Sequence, residues 1–389
     1  MPQHAPSKPS RPNPLLELST LGQSVWLDFI RRSLLDSGEL ARLVAADGIR
    51  GVTSNPAIFE KAIGAGEEYT AQIVEVAPRV GGDPRRIYEA LAVEDVRRAA
   101  DVLAAVYRES GGGDGFVSLE VAPDLADDAE STVAEARRLW AAVDRPNLMI
   151  KVPGTAAGIP ATRRLLAEGI HVNVTLLFSR RAYAEVAEAH LEALEERQAR
   201  GLPVDRVASV ASFFVSRIDT LVDRWLEERA AAAEGRTRER LLALRGRVAI
   251  ANAKLAYRHF RELVAGARWR ALARHGAWPQ RLLWASTSTK NPAYRDTLYA
   301  EELIGPETVD TMPPETVAAF RDHGVAKATL AAGVDAAAAT LAELEALGVS
   351  LDRATDELLA DGIAKFVEPY RKLLAAVDAR ARELAGRAG

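Results

Sequence analysis

A chain of 389 residues, 48% hydrophobic and 27% charged, can bury a large core, and a net charge of -4 with both signs well mixed provides no global field for nucleic acid or an anionic membrane. The absence of cysteine excludes thiol catalysis, disulfides and thiolate metal sites. No apolar run approaches a membrane span and the N-terminus lacks the apolar core of a signal peptide, so a cytoplasmic protein with no nucleic-acid or membrane partner is expected.

Residues 1–14, rich in proline and polar side chains, predict a flexible leader. Ser24 to Ile30 reads as a strand with Asp28 embedded among bulky apolar residues, followed by an amphipathic helix from about Ser33 to Ala46. Gly51 to Pro56 is a second short strand that stops at proline, with Asn55 at its C-terminal end. A mostly helical excursion between Pro56 and Gly115 leads to the strand Phe116 to Val121, which sets Glu120 in an apolar run. After a helix from Asp127 to Val143 comes the strand Asn147 to Thr155, with Lys151 at its centre. A helix from Thr162 to Glu168 precedes the strand His171 to Phe178, whose alternation puts Asn173 and Thr175 on one face.

A charged helix, about Arg180 to Arg200, and a strand from Arg206 to Val215 bearing Ser209 and Ser212 follow, with Arg217 just beyond. A helical insertion over about 218–274 separates this strand from Arg281 to Thr287, whose exit loop Ser288-Thr289-Lys290-Asn291-Pro292 is polar and basic. Thr308 to Met312 is the last strand, and about 315–389 reads as alanine-rich helix punctuated by Gly324, Gly333, Gly348 and Gly362.

Eight short apolar strands separated by helices predict an α/β fold, an eight-stranded parallel β/α barrel of the TIM-barrel type with additional helices, residues 15–389 forming a single domain. A doubly wound open sheet is the rival. It is disfavoured because no glycine-rich phosphate-binding turn appears and because polar residues recur at successive strand ends, where a barrel would gather them at one mouth.

The chemistry centres on Lys151. An ammonium in an apolar strand is disfavoured unless it is paired or loses its proton, and a neutral amine attacks a ketone to give a carbinolamine and then a cationic imine. Dehydration requires proton transfer, and cleavage of a β-hydroxy ketone requires a base at the hydroxyl, demands that Glu120 and Asp28 could meet separately. On residues alone, the structural readings stand ahead: Glu120 as a permanent ion-pair partner of Lys151, and Asp28 as a helix-capping or strand-end acid. Asn55, Asn173, Thr175 and Ser212 serve equally as strand-end caps. Arg217, Ser286 and Lys290 read as a phosphate clamp or as solvated loop residues. The six histidines are scattered without ligand spacing, so neither a metal nor a cofactor is expected.

The strings G-V-T-S-N-P (51–56), F-V-S-L-E-V (116–121), I-K-V-P-G-T (150–155), N-V-T-L-L-F-S (173–179), S-F-F-V-S-R-I-D (212–219) and A-S-T-S-T-K-N-P (285–292), in this order, resemble transaldolase, specifically its longer bacterial subfamily. The resemblance implies a class I aldolase-type barrel of the pentose phosphate pathway that moves a dihydroxyacetone unit from sedoheptulose 7-phosphate to glyceraldehyde 3-phosphate. It implies Lys151 as the Schiff-base lysine, Asp28 as acid/base at the donor's C4 hydroxyl, and Glu120 as a proton handler acting through a water near Thr175. Asn55 and Asn173 would hold the dihydroxyacetone hydroxyls with Ser212 nearby, and Arg217 the phosphate. Many members carry A-S-x-R after the seventh strand; here Ser286 is present but Ser288 stands where the arginine would be, which suggests Lys290 as its substitute. A related branch performs simple aldol cleavage, with Gln in place of the acid and Tyr in place of Phe214, so Glu120 and Phe214 favour the transferase. A sugar-phosphate-binding barrel without catalysis, or a helical interaction protein, is the non-enzyme alternative, and monomer and homodimer both stay open.

Overall fold

The computed structural model describes residues 13–64 and 67–388. Eight strands, β1 (Gln23–Leu27), β2 (Ile49–Val52), β3 (Phe116–Glu120), β4 (Leu148–Pro153), β5 (Val172–Leu177), β6 (Ser209–Phe214), β7 (Arg281–Ala285) and β8 (Thr308–Met312), close into a barrel in sequence order with every pairing parallel. All residues of β1, β3, β4, β5, β6 and β8 are buried. That follows from the architecture: one strand face lines the barrel interior and the other lies under helices, so the segments read as continuous apolar runs.

Trp26 fills the barrel where the strands begin. An added Cβ at Gly51 would lie 2.5 Å from the Trp26 ring, so glycine is the residue that admits the indole. The indole N–H donates to Asp114 Oδ1 at 2.8 Å, and the same carboxylate meets Arg50 Nε at 3.2 Å and Arg281 Nη2 at 3.6 Å. The end opposite the chemistry is thereby closed by a buried acid shared among several donors.

Several boundaries differ from expectation. The expected leader is cut short: Asn13 accepts the Leu15 N–H as N-cap and Pro14 opens the helix Pro14–Thr20, while residues 1–12 lie outside the described residues. β1 ends at Leu27, so Asp28 stands one residue beyond the strand, and β2 ends at Val52, three residues short of Asn55. The insertion after β6 begins at Ser216 and comprises the helices Ser216–Ala231, Gly235–Ala243, Val248–Ala265 and Ala267–Ala273, so Arg217 belongs to a helix's first turn.

Gly324, Gly333 and Gly348 stand at helix ends, but Gly362 lies inside the helix Leu351–Ala388. It is there for close approach: a Cβ would come within 3.0 Å of Leu176 Cδ2 and 3.5 Å of Phe178 Cε2, so its absence lets the helix lie against the end of β5. The same helix brings Tyr370 edge-on to Tyr88, at 5.7 Å between ring centres, and sets Phe366 over the barrel's mouth.

Asp310, in register with Trp284 of β7 and Val25 of β1, is fully buried. Its Oδ1 accepts from Thr287 Oγ1 at 3.0 Å, its Oδ2 has no partner among the described residues, and burial pushes the carboxyl up to about 7. Because the folded value exceeds the ordinary 3.8, this group's stabilising contribution is complete at low pH and is lost as pH rises from about 4 through 7. Asp310→Asn is expected to remove that loss, gaining up to about 4 kcal/mol relative to the wild type between pH 4 and pH 8. Urea unfolding of both proteins across that range measures it; a pH-independent difference would show that Asp310 is ionised in the fold.

Candidate active site

Parallel register sets Glu120 of β3 beside Lys151 of β4, and Lys151 beside Asn173 of β5, so the three side chains enter the barrel on one face. The Lys151 amine lies 3.4 Å from Glu120 Oε2, donates to the Ser54 carbonyl oxygen at 3.1 Å, and stands 5.5 Å from the centre of the Phe366 ring. The lysine and glutamate side chains are 6% and 5% exposed. Burial pushes the Glu120 carboxyl up to about 7, with Lys151 pulling in the opposite direction. Among the described residues, Thr175 Oγ1 is buried without a hydrogen-bond partner, and Glu120 Oε2 has none beyond its ion-pair contact with Lys151. Thr175 precedes Leu176, whose φ of 60° breaks the β5 register between Val174 and Leu177. Such a conformation is unfavourable for a residue with a side chain and tends to occur where function requires it.

Asp28 approaches from β1. Its Oδ1 accepts from Thr53 Oγ1 at 2.7 Å, and the Thr53 hydroxyl lies 2.7 Å from that of Thr311, so two hydroxyls lead to one carboxylate. Desolvation raises its proton affinity, opposed by Lys151, by the Thr53 hydroxyl and by Arg217. The two acids therefore occupy different surroundings, Asp28 held by the Thr53 hydroxyl and Glu120 beside the Lys151 amine.

A third group of polar and basic side chains lies on the opposite side. Arg217 packs over the Phe214 ring at 5.1 Å, its Nη1 is buried without a partner, and no carboxylate pairs with it among the described residues. Burial lowers its proton affinity, opposed by Asp361 and Asp28. Ser286, with φ 57°, has its hydroxyl 2.9 Å from that of Ser216, and Lys290 Nζ donates to Ser288 Oγ at 2.6 Å. The amine thus reaches back to the position where the resemblance leads one to look for an arginine.

These groups surround a cavity of about 460 Å³ at the C-terminal ends of the strands, lined by Asp28, Asn55, Lys151, Thr175, Ser212, Phe214, Arg217, Ser286, Ser288 and Lys290 among others. Lys61 and Lys365 also line it, so five cationic side chains face two acids, Asp28 and Glu315. Two expected residues stand apart from the lining. Glu120 lies behind Lys151, and Asn173 is fully buried, with Nδ2 donating to Ser118 Oγ at 3.0 Å and Oδ1 accepting from Ser212 Oγ at 2.6 Å. Asn55 uses Oδ1 to accept from Ile58 N–H at 3.0 Å, capping the helix Pro56–Gly64.

Sequence reasoning missed Thr53, Thr311, Lys61, Lys365 and Phe366. Thr53 lies within the G-V-T-S-N-P string, and its alternation with Asn55 is a usable signal; Phe366 has none, since it reaches the site only through the packing of a distant helix. Among the described residues no group of His, Asp or Glu is arranged to hold a metal ion.

Residues 25–377 match the family model described as Transaldolase/Fructose-6-phosphate aldolase. The chain is 45% identical over 375 residues to a protein named Transaldolase from Trichodesmium erythraeum, an overlap covering 96% of this chain and 98% of the relative. It is 49% identical over 363 residues to a Transaldolase from Thermobifida fusca, covering 93% and 96% of the two chains. It is also 49% identical over 364 residues to Transaldolase 1 from Streptomyces coelicolor, covering 93% of each. With a buried barrel lysine, two separated acids and a cation-lined mouth, and with this likeness extending over nearly its whole length, the chain belongs to the transaldolase/fructose-6-phosphate aldolase family.

Proposed function

We propose that this protein is a transaldolase acting in the cytoplasm through a Schiff base on Lys151, transferring a dihydroxyacetone unit from sedoheptulose 7-phosphate to glyceraldehyde 3-phosphate, with erythrose 4-phosphate and fructose 6-phosphate as products. The observation that carries this reading is the Lys151 amine, held 3.4 Å from Glu120 and bordering a cavity whose other walls bring a second acid and several basic side chains, among them Arg217 with no ion-pair partner among the described residues.

In the proposed sequence the amine attacks the donor's C2 carbonyl carbon, and the carbinolamine loses its hydroxyl as water to leave a cationic imine. Glu120, with a pKa near 7, gives and takes the protons of these steps through a water that would also satisfy Thr175 Oγ1. Asp28 takes the proton of the C4 hydroxyl; the C3–C4 bond breaks, its electron pair neutralises the imine as an enamine, and the aldose phosphate leaves. The enamine carbon then attacks the acceptor's aldehyde, Asp28 returns the proton to the new hydroxyl, and water releases the ketose from Lys151. Asn55, through its amide N–H₂ group, and the Ser212–Asn173 pair hold the dihydroxyacetone hydroxyls. Arg217, Ser286, Ser288 and Lys290 receive the phosphate. A buried guanidinium with an unpaired Nη1 favours an anionic occupant, because leaving that donor unsatisfied costs about 1–3 kcal/mol. Simple aldol cleavage is the alternative within the family, and a requirement for an acceptor aldose phosphate during turnover separates the two.

Incubation with fructose 6-phosphate and borohydride is expected to raise the intact mass of the wild type by one reduced ketose adduct and to leave Lys151→Ala unlabelled; equal labelling of both would remove Lys151 from the mechanism. The rate of adduct formation should inflect near pH 7 as Glu120 changes protonation state, and Glu120→Gln should lose that inflection and slow by roughly 10²-fold or more. The same inflection persisting in the variant would assign the titration elsewhere. Lys290→Met should raise the KM for fructose 6-phosphate about tenfold with a smaller change in kcat. An unaltered KM would return the clamp to Arg217 and the serines alone.

A further inference from the structure

The loop after β7 is tied at several points to the helix that begins at the cavity. At its start, the Ser216 N–H donates to the Ser286 carbonyl at 3.0 Å, and Thr287 is fully buried against Asp310. The loop's tip is exposed at Lys290, Pro292 and Ala293, and Thr289 Oγ1 folds it on itself by donating to the Arg295 carbonyl at 2.8 Å. What fixes the returning limb is Tyr294, whose hydroxyl donates to Asp223 Oδ2 at 2.6 Å.

Asp223 lies on the helix Ser216–Ala231, the same helix that carries Arg217 in its first turn. Asp219, one turn earlier on the same face, makes the parallel contact, accepting from the Tyr299 hydroxyl at 3.0 Å. Each acid is itself held at Oδ1, Asp219 by the Ala249 N–H at 2.8 Å and Asp223 by the Gly246 N–H at 3.0 Å. Gly246 adopts φ +69°, and a Cβ there would stand 2.8 Å from Tyr294 Cζ, so backbone packs directly on the phenol ring. One rigid helix therefore bears Arg217 and, about two turns further on, the anchor for the loop that bears Ser288 and Lys290.

We infer that the Tyr294–Asp223 hydrogen bond is a positioning contact that sets Ser288 and Lys290 at a fixed distance from Arg217, so that the two sides of the clamp match one phosphate group; this rests on the phosphate reading given above. Tyr294 and Asp223 themselves touch no reacting atom. Their effect is on the substrate's charged end, where a displaced cation weakens binding and misplaces the carbonyl relative to Lys151.

Tyr294→Phe removes the bond and keeps the ring. The ratio of kcat/KM for fructose 6-phosphate to that for unphosphorylated fructose is expected to fall about tenfold, and competitive inhibition by inorganic phosphate to weaken in parallel. A variant that melts at a lower temperature with that ratio unchanged would overturn the inference, since a purely structural tie moves both substrates together. Should Tyr294→Phe fail to fold, Asp223→Asn, which keeps a single acceptor oxygen for two donors, is read by the same ratio. Lys290→Met measured alongside separates the two layers of argument. If it lowers the ratio and neither anchor variant does, the positioning role fails alone; if it leaves the ratio unchanged, the role of Lys290 in the clamp fails and the inference falls with it.

Discussion

A carboxylic acid and an amine buried side by side inside a barrel constrain everything around them. Both side chains are almost wholly buried, and removing either partner from such a pair leaves the other uncompensated, at a cost of several kcal/mol. Parallel pairing of β3 and β4 makes the adjacency unavoidable, because residues in register on neighbouring strands emerge on the same face. The rest of the layer is organised to tolerate it. The Ser54 carbonyl accepts from the amine, and Asn173, Ser118 and Ser212 satisfy one another instead of competing for it. The balance between desolvation and attraction pushes Glu120 up to about 7, where a small change in its surroundings changes its protonation state.

The acids are differentiated by surroundings. Glu120 sits behind the lysine, away from the cavity lining, while Asp28 is half-buried at the cavity wall with the Thr53 hydroxyl bound to it. Two carboxylates side by side would be forced to divide a proton; here Asp28 is only the smallest of the influences on Glu120, after burial and the Lys151 amine. The mouth adds an excess of basic side chains, Lys61, Lys290, Lys365 and Arg217, over its two acids Asp28 and Glu315, which favours an anionic occupant.

The barrel was legible because strands buried on both faces cannot hide: their apolar runs are continuous and their breaks fall at proline and glycine. The charged residues inside those runs were legible for the same reason, and Lys151, Glu120 and Asp28 converge in the structure. The errors came from signals with two physical causes. Asn55 before Pro56 marks a strand end and a helix cap equally well, and the structure uses it as a cap. Gly362 has the appearance of a helix terminator, yet it serves a tight helix-to-strand contact that only the tertiary arrangement reveals. Phe366, Asp223 and Tyr294 carry no local signature, since their roles arise entirely from which distant segment packs against them.

Phe366 illustrates what such distance entails. The ring that stands over the Lys151 amine is contributed by the helix Leu351–Ala388, which follows the last barrel strand. During synthesis all eight strands emerge before that ring does, so the barrel can begin to assemble with its lysine still open to water. The ring that shields the amine is therefore supplied only after all eight strands have been synthesised, which places that shielding late in assembly.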